Sequence, residues 1–226
     1  MLNYYIQTSI NQINPDWKEK YHRFLHPEIL TQFCHNLDYY FENDVHLDRL
    51  PQYKEEIKID FSETVHEFKM VFELTEDKEE LCLKIAQLLE VTPFQNLLLI
   101  LGQRLTSASV NDENGIPPLK ETLLASCQLP FNHEISCARR AWEKHLSRGY
   151  TDFWGTMKGN NQEKEALVVQ KINHVIKNAS WWNIFGHYKH GYVYEIRIEN
   201  GNGIRWNQEG TKLIGFLEPF LESSIS

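Results

Sequence analysis

Apolar positions recur at three- and four-residue intervals along most of the chain and switch to strict alternation in two stretches, 66–74 and 192–198. Asn14 is a suitable cap for a short helix over residues 15–24, with Pro15 in its first turn. Pro27 opens a second helix in which Leu30, Phe33, Leu37 and Phe41 share a side. Residues 52–61 and 66–74 read as two strands. In the second, Phe68, Met70, Phe72 and Leu74 alternate with Glu67, Lys69, Val71 and Glu73, and Ser62-Glu63-Thr64 supplies the turn. Thr75 is placed to cap the next helix, whose apolar side is Leu81, Ile85, Leu88 and Leu89, and acidic residues in its first turn suit the helix dipole. Pro93 ends or restarts that helix, and the apolar run from Phe94 to Leu105 fits either a helix or a buried strand.

Three further helices are expected over 118–127, 133–148 and 162–178. The buried stripes of the last two are read as Ile135, Ala138, Trp142 and Leu146, then Ala166, Val169, Ile172 and Ile176. Tyr192–Ile198 is a strand with Tyr192, Tyr194, Ile196 and Ile198 on one face and Val193, Glu195, Arg197 and Glu199 on the other. Asn200-Gly201-Asn202-Gly203 signals a hairpin, because Asn-Gly tolerates the positive φ of tight turns. Ile204–Asn207 returns, and Lys212–Leu217 follows until Pro219 stops it. The fold class expected is α+β: helices packed on a C-terminal antiparallel β-meander, with a smaller N-terminal helix-hairpin-helix part.

Composition divides the chain. Residues 1–120 carry 11 basic and 20 acidic side chains, residues 121–226 carry 12 and 11, and five of the six tryptophans fall in the second stretch. The shift coincides with a loop-forming run that ends in Pro117-Pro118. The expected parts are therefore an acidic 1–115 and a Trp-rich 116–226, either separate or continuous as one domain. Net charge of -8 gives no general support for nucleic-acid binding, though it leaves room for a local positive patch. Met1–Tyr5 lacks the basic flank of a secretory signal, and Leu97–Leu101 falls far short of the roughly 20 apolar residues that cross a bilayer. Four dispersed cysteines without a Cys-x-x-Cys pair read as core thiols. A cytoplasmic protein without membrane contact is the expectation.

Three clusters carry candidate chemistry. On the polar side of the C-terminal sheet, Glu195 and Arg197 point the same way, and Arg205, across the hairpin, joins that face in one register and not in the other. They are either ion pairs on a solvated surface or part of a cleft in which guanidiniums hold phosphate. On the 133–148 helix, Arg140, Lys144 and Arg148 form a one-sided basic ridge, with His145 beside it as a proton-transfer candidate. Trp182, His187, Lys189 and His190 belong to an aromatic segment that is either a binding loop for a flat ligand or base, or a hinge packed under the sheet. His187 and His190 do not by themselves make a zinc site. Gly155 and Gly159 before the 162–178 helix are a weak anion-binding signal. The dinucleotide, phosphate-loop, nucleophile-elbow and zinc-protease motifs are lacking, and no cofactor or metal is expected.

Tyr194-Glu195-Ile196-Arg197-Ile198 followed by Gly203-Ile204-Arg205-Trp206 resembles the strand–turn–strand core of the RelE/ParE-type bacterial toxins. These are compact α+β domains, several of which cleave messenger RNA on the ribosome. The resemblance implies phosphate-facing roles for Arg197 and Arg205. It covers about 15 of 226 residues, and the Leu213–Pro219 ending departs from the basic tail of that family.

Two functions are therefore expected, in this order. Bulk charge points to an interaction or regulatory protein whose acidic half binds a basic protein partner. Local clustering points to the alternative, a phosphate-ester or RNA hydrolase, an endoribonuclease included. Its cleft would lie between the helix bearing Arg140, Lys144, His145 and Arg148 and the sheet bearing Glu195, Arg197 and Arg205. Oligomeric state is not legible.

Overall fold

Local capping chemistry starts the first helices where the sequence places them. In the computed structural model, which describes residues 2–149 and 152–220, α1 (Leu2–Ser9) precedes α2 (Pro15–Lys20), capped by the Asn14 side chain accepting from the Asp16 N–H at 2.8 Å. Next come α3 (Pro27–Glu42), α4 (Ser62–Leu74), α5 (Lys78–Val91) and α6 (Phe94–Leu101). They build a helical unit from Met1–Leu47, Ile57–Arg104 and Val110–Ile116. Its core is aromatic and aliphatic. Phe24, Phe33, Leu37, Phe68, Ile85 and Leu98 are fully enclosed, and Tyr21 stacks on Phe94 with ring centroids 4.0 Å apart.

The N-terminal hairpin is not formed. Residues 62–74 are the helix α4, and 52–61 has no strand. The alternation of Phe68, Met70, Phe72 and Leu74 concealed a second pattern. Phe61, Val65 and Phe68 recur at four and three residues and are the buried ones, whereas Leu74 is 70% exposed. The α5 cap is Asp77, accepting from the Glu80 N–H, while Thr75 closes α4. The run from Phe94 resolves as helix, ended by Gly102 in the left-handed region at φ 110°.

The second unit comprises Asp48–Glu56, Leu105–Ser109 and Pro117–Ser226. Helices α7 (Lys120–Gln128), α8 (Cys137–Leu146) and α9 (Asn161–Lys177) precede a four-stranded antiparallel meander. Its strands are β1 (Trp181–His187), β2 (Gly191–Arg197), β3 (Gly203–Asn207) and β4 (Leu213–Leu217). The α+β class, with helices on a C-terminal meander, is therefore as expected. The aromatic segment divides: Trp181–His187 is strand β1, and Tyr188, Lys189 and His190 form the turn into β2.

Register assigns the two sheet faces. Ile196 pairs with Trp182 and Ile204, which in turn pairs with Phe216. These residues, with Ile184, Tyr194 and Trp206, form the apolar face against which α7, α8 and α9 pack. The α9 residues buried are Val168, Ile172 and Val175. That stripe is rotated from the expected one, and Ala166 is exposed. Trp142 lies fully inside, its indole N–H donating to the Trp154 carbonyl at 2.8 Å.

Gly201 turns the β2–β3 hairpin with φ 85°. Gly203 has a different constraint: a Cβ there would overlap the Ile196 carbonyl and come within 2.6 Å of the Arg197 Cγ. Gly203→Ala is expected to cost about 1–3 kcal/mol through forced strand separation, read as a lower urea midpoint with unchanged slope.

Candidate functional site

The other face of the sheet holds the charged cluster. Asn183, Glu195, Arg205 and Gly215 stand directly opposite one another across the four strands, and Trp181, Arg197, Gly203 and Leu217 form the next row. Equivalent positions on antiparallel strands point to one side, so the alternation that made Tyr194 and Ile196 apolar-facing delivers Glu195 and Arg197 to the opposite face. This face is not a solvated surface. Glu195 and Arg197 are 1% and 5% exposed.

Three pieces of chain cover it. From the 48–56 segment, the Leu50 carbonyl accepts from the Ser180 hydroxyl, and Tyr53 stacks on Phe220 at 4.2 Å. Residues 105–109 run along the β1 edge, where Ser109 pairs with Phe185 and the Ala108 carbonyl accepts from the Gly186 N–H. The buried Asn183 amide donates to the Ser109 hydroxyl at 2.8 Å. Phe220 also lies over the Arg197 guanidinium, 3.8 Å from ring centroid to carbon.

Inside, Glu195 is held between two guanidiniums. Arg197 Nε donates to Oε1 at 2.5 Å, and Arg205 Nε and Nη2 donate to Oε2 at 2.7 and 2.5 Å. Two positive groups meet one carboxylate, so the cluster keeps an excess of positive charge. Arg197 Nη1 donates to the Gly201 and Glu218 carbonyls, tying the hairpin turn and the end of β4 to the pair. Burial pulls its pKa below the ordinary value while Glu195 opposes that shift. Arg205 differs. Its side chain is 18% exposed, and Nη1 has no hydrogen-bond partner among the described residues. It therefore combines a fixed orientation with an open edge, the arrangement that receives a phosphate oxygen.

Aromatic and imidazole groups extend this open side. Phe185 lies 5.6 Å from the Arg205 guanidinium, and His187, two residues further on β1, shares its face. Burial first, then the Arg205 and His190 charges, lower the His187 pKa, so the ring is neutral at pH 7. Its Nδ1 accepts the Lys189 backbone N–H at 3.1 Å, which places the ring proton on Nε2 as a donor. Tyr53 also senses the cluster. Burial and its hydrogen bond to Glu55 raise its pKa, Glu195 adding to the rise and Arg197 opposing it.

The expected cleft between α8 and the sheet is not formed, because α8 packs on the opposite, apolar face. His145 is 5% exposed, lies against Trp154 and Phe216, and its Nε2 sits 2.8 Å from Glu218 Oε1. Glu218 links it to the sheet, its carbonyl accepting from Arg197 Nη1, but His145 itself packs on the face opposite Glu195, Arg197 and Arg205. The basic residues are separate from the cluster: Arg140 and Lys144 are exposed on α8, Arg148 lies in the turn beyond its end, and Arg140 sits over the Phe131 ring. Trp182 belongs to the apolar face, beside Tyr194. Lys189 and His190 occupy the β1–β2 turn next to His187. The start of α9 offers no anion cradle, since Asn160 and Glu163 form a reciprocal capping box.

Tyr53, Ser109, Asn183, Phe185 and Phe220 were not anticipated. Asn183 and Phe185 carried a signal, since once β1 is known they fall in register with Glu195 and Val193. The others are brought in from distant sequence. All four cysteines are free thiols, and burial pushes Cys34 up to about 12 and Cys127 up to about 11. Among the described residues, no three His, Cys, Asp or Glu gather as metal ligands, and no helix is long and apolar enough to cross a membrane.

No curated protein and no solved structure matches the chain. Residues 124–218, which hold the four strands, α8, α9 and most of α7 but neither 48–56 nor 105–109, match the sequence model of the family described as the CdiA C-terminal tRNase toxin domain.

Proposed function

We propose that the second unit is a ribonuclease acting on tRNA, with Arg205 as the residue that binds the scissile phosphate. The observation that carries this reading is the family match, because residues 124–218 include the entire sheet on which the charged cluster is built. The geometry supports it independently. Phosphoryl-transfer chemistry depends mostly on positioning and on neutralising charge that develops on the phosphate oxygens. Arg205, oriented by Glu195, offers a fixed donor edge for that charge, and the neutral His187 offers an Nε2–H beside it. Arg197, its Nε engaged by Glu195 and its Nη1 by two backbone carbonyls, acts as a positioning residue for Glu195.

This reverses the order set by bulk charge. The first unit carries 8 basic and 17 acidic residues and the second 15 and 14, so the acidity belongs outside the matching region. The test is incubation of the full chain with a purified tRNA pool, with and without divalent cations, followed by a denaturing gel. Discrete tRNA fragments are expected. A pool left intact under every condition at protein concentrations sufficient for binding overturns the reading.

A further inference from the structure

The tip of the β1–β2 hairpin has a construction that phosphate binding alone does not require. Tyr188 is 86% exposed. A single exposed ring on a protein surface is unremarkable, but this one is not isolated. Its ring packs nearly parallel to His187, with centroids 4.8 Å apart and planes at 23°. His190 stacks on the same imidazole at 4.9 Å and 30°. Lys189 Nζ lies 5.2 Å from the Tyr188 centroid. The turn His187–His190 thus presents three rings and a cation with no carboxylate of its own. Glu209, on the β3–β4 turn, is engaged by the Asn207 amide.

The position of this tip matters as much as its composition. His187 and Phe185 extend along one strand face to Arg205, so the stacked rings continue the open side of the phosphate site. A nucleotide presents the same two features side by side, an anionic phosphate and a flat π-face. Aromatic platforms flanked by cations bind unpaired bases because every base has such a face, whereas a paired base has its faces covered by its neighbours in the helix.

We infer that the β1–β2 tip is a stacking platform for an unpaired nucleobase of the RNA substrate, so that the enzyme selects loop or single-stranded segments rather than duplex. The base rests on Tyr188, supported by His187 and His190. Lys189 moves off the ring to pair with a neighbouring phosphate. This inference rests on the tRNA-cleaving reading and specifies what part of the RNA that site accepts.

The experiment measures binding of a labelled single-stranded RNA oligonucleotide, and of the same sequence annealed as a duplex, to the full chain and to Tyr188→Ala and Tyr188→Phe. Tyr188→Ala is expected to raise the single-strand Kd about 5- to 100-fold, the range found when a base-stacking aromatic is removed. Tyr188→Phe should restore binding to within about twofold of wild type, and the duplex Kd should change by less than about twofold. Because Tyr188 is so exposed, the melting temperature of both variants should match wild type. A single-strand Kd unchanged in Tyr188→Ala, or an equal loss for strand and duplex, overturns the platform. The two readings fail separately. A chain that cleaves tRNA with a KM indifferent to Tyr188→Ala retains the ribonuclease and loses the platform. A chain that binds single strands through Tyr188 but cleaves no tRNA does the reverse.

Discussion

Arg205→Ala is expected to slow RNA cleavage by about 10²–10³-fold, the usual cost of removing one preorganised donor aimed at developing negative charge. The loss should fall mainly on kcat, because the guanidinium is held in place before substrate arrives: Glu195 fixes Nε and Nη2, and Nη1 has no hydrogen-bond partner among the described residues. Arg205→Lys should recover little. An ammonium is a point charge without the planar fork, and cannot hold Glu195 along two bonds while presenting a third donor. Single-turnover rates on labelled tRNA measure this, with circular dichroism to establish that the sheet is intact. A variant cleaving within about threefold of wild type would remove Arg205 from the site, being well short of the loss expected for such a donor.

Glu195→Gln should have the largest effect on stability, about 3–5 kcal/mol, because it strips the charge from a carboxylate that lies between two guanidiniums and is 1% exposed. Arg197, 5% exposed, is then left buried beside Arg205 without a counter-charge. Desolvation of the orphaned group accounts for most of that figure; the pair's net worth in the intact protein is smaller. A double variant makes the distinction. Glu195→Leu with Arg197→Met removes both buried charges together and should recover a substantial part of the loss, as apolar replacement of buried ion pairs often does. Urea denaturation followed by tryptophan fluorescence reports both, with Trp181 and Trp206 flanking the cluster in the sheet. Equal destabilisation by the single and double variants would show that the carboxylate acts through packing rather than charge.

The C-terminal sheet was legible because its information is local. Alternation from Tyr192 to Ile198 and the Asn-Gly turn define two strands and the common face of Glu195 and Arg197 with no reference to the rest of the chain; the register that adds Arg205 to that face comes from the structure. What the local pattern did not contain was the cover. Tyr53 reaches the cluster across more than a hundred residues of sequence. So do Leu50 to Ser180 and Phe220 to Tyr53, and no periodicity encodes such contacts. A polar strand face therefore looked solvated when it is enclosed. His145 shows the converse error. A histidine beside a basic ridge has the composition of a catalytic group, yet helical geometry turns it inward, away from Arg140 and Lys144, onto Trp154 and Phe216. Residues 62–74 satisfied both a period of two and a period of three and four, and packing of Val65 and Phe68 in the helical core decided between them.

The assembly of the second unit from three stretches, with Asp48–Glu56 and Leu105–Ser109 drawn from far upstream, bears on how the molecule is made. During synthesis the chain emerges from its amino end, and domains fold as units once their parts are present. All three stretches of the helical unit are out of the ribosome by Ile116, while the sheet still lacks every strand. The guanidinium pair cannot be sealed until Glu218 has supplied its carbonyl and Phe220 its ring. Nascent fragments, truncated messages and stalled translation products would all lack the closed cluster.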